Sequence, residues 1–222
     1  MKIAVLGKGK TGKKVIEQLG HEHDHSVFHS SNPPTLENLK GHDVIISFLP
    51  GEPFLSYIDI LIDSKIPVVT GSTGFDWPKE IDQKLKENKT PWIRAHNFSL
   101  GMNLVHEMIK VMAKADKLFK APKFKIHEVH HIMKVDAPSG TAISWQDWSE
   151  HECQITSART GDVVGDHKLT IETETEDIIV QHQAKDRGIF AAGALWSAKK
   201  IIDNEVPAGL NNFSDLAIKE LL

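Results

Sequence analysis

The chain has 222 residues, enough for one large or two small domains that fold without staples, and its 30 acidic against 26 basic residues leave a net charge of −4, which gives no basic field for nucleic acid. A single cysteine, Cys153, excludes an intrachain disulfide and any CxxC centre and reads as a small buried hydrophobe of a reducing compartment. No run approaches the roughly 20 apolar residues of a membrane span, and MKIAVLG enters a strand without a signal-peptide pattern, so a soluble cytoplasmic protein with no membrane partner is expected.

IAVLG predicts a short buried strand running into GKGKTG, and KKVIEQL follows with helical spacing at Val15, Ile16 and Leu19. Within this strand, turn and helix, Gly7, Gly9 and Gly12 match GxGxxG. Its glycines permit a tight turn, close approach of a pyrophosphate and packing of helix on strand. Lys8, Lys10 and Thr11 occupy the same turn, so Gly7 to Gly12 is the expected dinucleotide cradle. HEHDH, from His21 to His25, has alternate histidines but joins a helix to a strand, and reads as a solvated loop rather than a metal site; no metal is expected.

SVFHS is the second strand. Near its end an acid would hold a ribose 2′-hydroxyl, whereas a basic group would accept a 2′-phosphate. His29, Ser30 and Ser31 stand there with no acid, which leans towards NADPH over NADH, with Lys8 or Lys10 as phosphate partner or as a solvated turn residue. DVIISFLP, IPVVTGSTG and TPWIRAHNFS continue as strands three to five, with helices at FLSYIDILIDSK and DWPKEIDQKLKEN between them. This alternation predicts a parallel sheet with ligands at its carboxyl edge.

After Ser99, SLGMNLVHEMIKVMAKADKLF predicts a long helix, buried between layers through Met102, Leu104, Val105, Met108, Ile109, Val111 and Met112. KFKIHEVHHI then alternates as a strand: Phe124, Ile126, Glu128 and His130 share one face, and Lys125, His127, Val129 and His131 the other. Lys134 follows, and DAPSGT turns the chain through Pro138 and Gly140 into a helix beginning near Thr141. Ser139 and Thr141 flank a glycine at this helix start, where unpaired N–H groups and the positive dipole end favour a carboxylate. GDHKLTIETET and EDIIVQHQAK alternate as strands of a second, mixed or mainly antiparallel sheet, and GIFAAGALWSAKKII returns as a helix. The expected fold is α/β: a Rossmann-like dinucleotide-binding domain from residues 1–98 and 188–222, and a smaller α+β domain for substrate binding and oligomerisation from residues 99–187.

With VLGKGKTG, GSTGF from Gly71, AHNFSLGMN from Ala95, EVHHIMKVDAPSGTA, ARTGDVVGDH from Ala158 and AKDRGIFAAGAL from Ala184 all present, the chain resembles the 4-hydroxy-tetrahydrodipicolinate (dihydrodipicolinate) reductases of lysine and diaminopimelate synthesis over nearly its whole length. The resemblance implies NAD(P)H-dependent reduction of a small cyclic dicarboxylate imine to tetrahydrodipicolinate by a homotetramer built through the second sheet. It assigns proton donation to His130 and Lys134, and substrate carboxylate binding to His131, Lys134, Ser139, Gly140 and Thr141. Gly71, Ser72, Thr73, Ala95, His96, Asn97 and Phe98 would line the nicotinamide side, with Arg187 near the hinge. Three departures from the family pattern stand out: a short stretch between Thr141 and Arg159, SFLPGEP after the third strand, and Met133 where a histidine is common. Two other functions compatible with the scaffold are a different NAD(P)H-dependent small-molecule reductase and a non-catalytic nucleotide-sensing protein.

Overall fold

Short apolar runs with little alternation favour strands covered on both faces, and the first half of the chain supplies several. The computed structural model describes residues 1–21 and 23–222; Glu22, inside the histidine-rich segment, lies outside the described residues. The chain divides into two units, one mainly Met1–Ser99 with Arg187–Glu220, the other mainly Leu100–Asp186.

In the first unit, β1 (Lys2–Leu6), β2 (Asp24–Phe28), β3 (Val44–Ser47), β4 (Val68–Thr70), β5 (Pro91–Arg94) and β10 (Gly209–Asn212) form one parallel sheet ordered β10-β5-β4-β3-β1-β2. Period-two alternation divides its core. Ile3, Val5, Val44, Ile46, Val69 and Ile93 pack with Val15 and Leu19 of α1 (Lys10–Leu19) and with Ala191, Ala194 and Ala198 of α7 (Gly188–Ile202). Ala4, Leu6, Ile45, Val68 and Trp92 pack in a second cluster with Phe54, Ile58 and Leu61 of α3 (Gly51–Ser64) and Ile81 and Leu85 of α4 (Ile81–Glu87). From β1 the chain goes first to β2 on one side and then to β3 on the other, and that reversal places a ligand crevice outside the carboxyl ends of β1 and β3. A short α2 (Leu36–Leu39) with a Thr35 capping box and a terminal α8 (Phe213–Leu221) complete the unit.

Two features differ from the sequence reading here. The histidine-rich segment is not wholly loop, because Asp24 and His25 already pair with Lys2 and Ile3 in β2. The sixth strand, GLNN, lacks β-branched residues; it is held by pairing with β5 and by Leu210 N–H donating to Asp82 Oδ1 at 2.9 Å.

The second unit begins with α5 (Leu100–Met112), which tightens into a 3₁₀ turn at Ala113–Lys117. Only one stripe of α5 is covered: Met102, Val105 and Ile109 are buried, whereas Leu104, Met108 and Val111 are exposed, because α6 (Gly140–Ser149) and β9 (Asp177–Ala184) pack against one side alone. Trp145 of α6 is fully buried and its Nε1–H donates to Met102 Sδ at 3.2 Å. The sheet is mixed, ordered β7-β6-β8-β9, with β7 (Cys153–Arg159) parallel to β6 (Lys123–His130), and β8 (Gly165–Glu172) antiparallel to both β6 and β9. Every second residue of β6 is buried, and the buried set is Phe124, Ile126, Glu128 and His130.

Candidate active site

The glycine turn is built as its spacing requires. Gly7 adopts φ +98°, a left-handed conformation that other residues reach only with strain, and a Cβ at Gly12 would stand 2.1 Å from the Gly7 carbonyl oxygen. Nothing crowds Gly9, which precedes α1 with no side-chain cap and no acid in the first turn, so the helix start presents open N–H groups. Lys8 and Lys10 are exposed and Thr11 half-buried beside it. At the end of β2, His29 pairs through its backbone with Asn32, and its Nδ1 accepts from Ser31 N–H at 3.3 Å.

The segments after β4 and β5 divide into framework and open residues. Gly71 has no space for a side chain, since a Cβ would meet the Phe48 ring at 2.4 Å. Ser72 is buried with its Oγ 3.4 Å from Ser47 Oγ, whereas Thr73 is exposed. Ala95 N–H donates to Thr70 O, Asn97 Oδ1 accepts from Ser99 N–H at 2.9 Å, and His96 is exposed. Phe98 is a core residue, 1% exposed and packed edge-on to Phe48 and against Phe213. Arg187 stands at the cap position of α7.

In the second unit, a carboxylate organises the motif strand. Glu128 is fully buried, and its Oε1 accepts from Ser139 N–H at 3.1 Å and from the Arg159 guanidinium at 3.2 Å. Its Oε2 faces His130 Nδ1 at 3.4 Å and His167 Nε2 at 3.7 Å. Burial pushes this carboxyl up, but hydrogen bonds from Ser139, Ser157 and Arg159 outweigh it and hold the group below the usual carboxylate range. The strands explain the grouping: in register, Glu128 faces Ser157 of β7 and His167 of β8, and His130 faces Arg159. Arg159 also donates to the backbone carbonyls of Lys134 and Asp136, which ties the DAPSGT turn to β7.

Ser139 caps α6 through Oγ accepting from Ala142 N–H at 3.2 Å, and the same oxygen lies 3.2 Å from His167 Nε2. At 2% exposure, with both its N–H and hydroxyl engaged, it is part of the framework. The helix starts at Gly140, one residue earlier than its sequence suggests, because Ser139 rather than Gly140 takes the cap. Gly140 and Thr141 are its first two residues, whose N–H groups precede the helical ladder. Lys134 pairs with the exposed Asp136 at 2.8 Å, and His131 is half-buried beyond the end of β6.

Burial holds the His130 imidazole below its ordinary titration range, with Lys134 and Arg159 acting in the same sense and Glu128 against them. His167 is lowered further, to about 4, by burial and then by His130. Sequence reasoning puts Glu128 on one face with Phe124, Ile126 and His130 but gives neither it nor Arg159 and His167 a task; once that face is seen to be buried, a carboxylate on it signals that partners must exist. Glu128, His130 and His167 also bring ligand atoms within 4.8 Å of one another, as a metal site does, although the guanidinium already on the carboxylate opposes a cation.

His167 carries a consequence for acid stability. It is faced by His130, Glu128, His182 and Asp166 and takes a proton near pH 6.5 in the unfolded chain but only near 4 in the fold, so between those values the unfolded state binds more protons. Stability is expected to fall as pH drops through this window, by about 3 kcal/mol from this one group. A His167→Asn variant should show a flatter denaturant midpoint between pH 7 and 4 than the parent; equal slopes would contradict the assignment.

A family model described as "Dihydrodipicolinate reductase, N-terminus" matches residues 1–98, and one described as "Dihydrodipicolinate reductase, C-terminus" matches residues 101–216. A 4-hydroxy-tetrahydrodipicolinate reductase of Christiangramia forsetii is 32% identical over 228 aligned positions, covering 91% of this chain and 93% of that one. Its namesake from Thermosipho africanus is 31% identical over 224 aligned positions, covering 99% of each chain. Among solved structures, the dipicolinate-bound dihydrodipicolinate reductase from Paenisporosarcina sp. TG-14 has the same fold, with a TM-score of 0.75 at 20% identity over 96% of this chain and 97% of that one. Matched in both halves by its family models and nearly end to end by relatives above 30% identity, the chain belongs to the dihydrodipicolinate reductase family.

Proposed function

We infer that the protein is an NAD(P)H-dependent oxidoreductase that reduces 4-hydroxy-tetrahydrodipicolinate to tetrahydrodipicolinate in lysine and diaminopimelate synthesis. The observation that carries this reading is the intact motif of β6, the DAPSGT turn and α6 in a chain that matches the family in both halves. The same reading places it in the cytoplasm; no described helix is long and apolar enough to cross a membrane.

NAD(P)H, when bound, supplies a hydride. The left-handed Gly7, the crowded Gly12 and the open start of α1 suit a pyrophosphate there, and Thr73, His96 and Asn97 are the more open residues beyond β4 and β5, with Ala95 packed at the core's edge. The chain's own task is to grip two carboxylates and return a proton. Gly140 and Thr141 offer backbone N–H groups at the positive end of α6, and the Thr141 hydroxyl adds a third donor. Lys134 contributes an ammonium whose partner at rest is the exposed Asp136, so an arriving substrate carboxylate exchanges for a weakly held one. His131 stands at the rim of the same turn, Ser139 shapes it from beneath, and His130 donates the proton with Lys134 sharing that role.

The test is a coupled assay in which the product of dihydrodipicolinate synthase is offered with each nicotinamide cofactor and absorbance is followed at the reduced nicotinamide band. Turnover is the expected result, and silence with both cofactors would end the reading. With no acid after β2, we place the preference with NADPH, its 2′-phosphate held by Lys8 or Lys10. Removing both lysines should lower kcat/KM for NADPH by about tenfold or more, the worth of a charged hydrogen bond, and leave NADH little changed. We further read the outward face of the second sheet, where Lys125, His127, Lys168, Thr170 and Ile179 line a hollow of about 420 Å³, as the contact of a homotetramer, which light scattering will weigh.

A further inference from the structure

Buried imidazoles rarely face a buried carboxylate oxygen without consequence, and the cluster beneath the motif strand holds two. Glu128 Oε2 and His130 Nδ1 are enclosed and make no hydrogen bond of good geometry, yet lie 3.4 Å apart. Oε1 accepts from Ser139 N–H and Arg159, and Oε2 is the oxygen that both imidazoles face.

We propose that Glu128 is a positioning residue that keeps the Nδ1 proton of His130 in place and so makes Nε2 the nitrogen that gives its proton to the substrate, with His167 fixing the carboxylate against the Ser139 cap. This inference rests on the reductase reading for its chemistry but not for its geometry. A carboxylate beside Nδ1 accepts from that nitrogen in both the neutral and the cationic ring, and the tautomer is then set by the partner rather than by the solvent. Proton transfer balances: the imidazolium loses its Nε2 proton, the enamine-like carbon left after hydride addition gains it, and the ring remains neutral with Nδ1–H on an unchanged carboxylate. The ring packs over Gly165, where an added Cβ would stand 3.2 Å from Nε2, and His167 lies edge-on at 4.9 Å between ring centres.

The charged groups around His130 make Glu128 decisive. From its own strand Glu128 favours the cation, with Asp136 of the turn; Lys134 of the turn and Arg159 of β7 oppose it, and His167 of β8 adds another basic neighbour. Take away the one buried anion and little else holds the imidazolium.

Two measurements test this. In the unmutated protein, nitrogen NMR of the His130 ring at pH 8 should find the proton on Nδ1; a proton on Nε2 overturns the proposal whether or not the protein turns over substrate. In the coupled assay, Glu128→Gln keeps the shape and an acceptor for Ser139 N–H but removes the charge. The alkaline fall of kcat should move down by about one pH unit or more, about tenfold in proton affinity, while KM changes less than kcat. Glu128→Asp should return the limb part of the way. If Glu128→Gln keeps the wild-type pH profile, the carboxylate is merely structural and the proposal fails.

Discussion

Alanine in place of His130 or of Lys134 is expected to lower kcat by about 10²-fold or more, the usual worth of a positioned proton donor. The two variants should separate in KM. Lys134 pairs at rest only with an exposed aspartate, so losing its ammonium removes a grip on substrate and raises KM as well. His130 is 7% exposed, buried against Glu128, His167 and Gly165, so its loss acts on turnover and leaves KM nearer the parent value. Steady-state kinetics on both variants, with circular dichroism to confirm folding, checks this; wild-type turnover in either removes that residue's proposed role.

A second large effect is expected in the first unit. Gly193 of α7 lies so close to the segment after β5 that an added Cβ would stand 1.8 Å from the Phe98 carbonyl oxygen and 3.2 Å from the Phe213 ring. Neither neighbour is a flexible tip, so Gly193→Ala must push α7 off the sheet or displace the Ala95 to Phe98 segment. Overpacking of this kind costs about 3 kcal/mol, which lowers the melting temperature by roughly 6–12 °C in a chain of this size. If the displaced segment lines the nicotinamide side as we propose, affinity for the reduced cofactor falls too; an unchanged melting curve would show that the backbone yields at no cost.

How far the sequence could reveal these arrangements depends on whether the information was local. The glycine turn, the five apolar strands and the grouping of Phe124, Ile126, Glu128 and His130 on one face of β6 follow from spacing within a few residues, and the structure has each of them; that this face is the buried one does not. Long-range pairings were illegible. Arg159 reaches Glu128 and the turn only because β7 lies parallel to β6 in a register that brings His130 and Arg159 together, and nothing in CQITSAR announces that register. His167 was hidden for the same reason, across an antiparallel pair. Ser139 shows a subtler gap: a serine before a glycine and a threonine reads equally well as a ligand or a cap, and only its 2% exposure and its contacts with Ala142, Glu128 and His167 assign it to the framework. The width of the apolar stripe on α5 was overstated because periodicity counts apolar positions, not the neighbours available to cover them.

The parallel pairing of β6 with β7 also sets a lower limit on length. Strands running the same way cannot be joined by a tight hairpin; they need a crossover of a dozen residues or more. Here that crossover is little more than the DAPSGT turn and α6, after which the chain enters β7 within a few residues. Removing α6 would bring the crossover between His130 and Cys153 down to about that minimum, so the arrival of Arg159 beside the turn it anchors depends on this helix as much as on the register of β7.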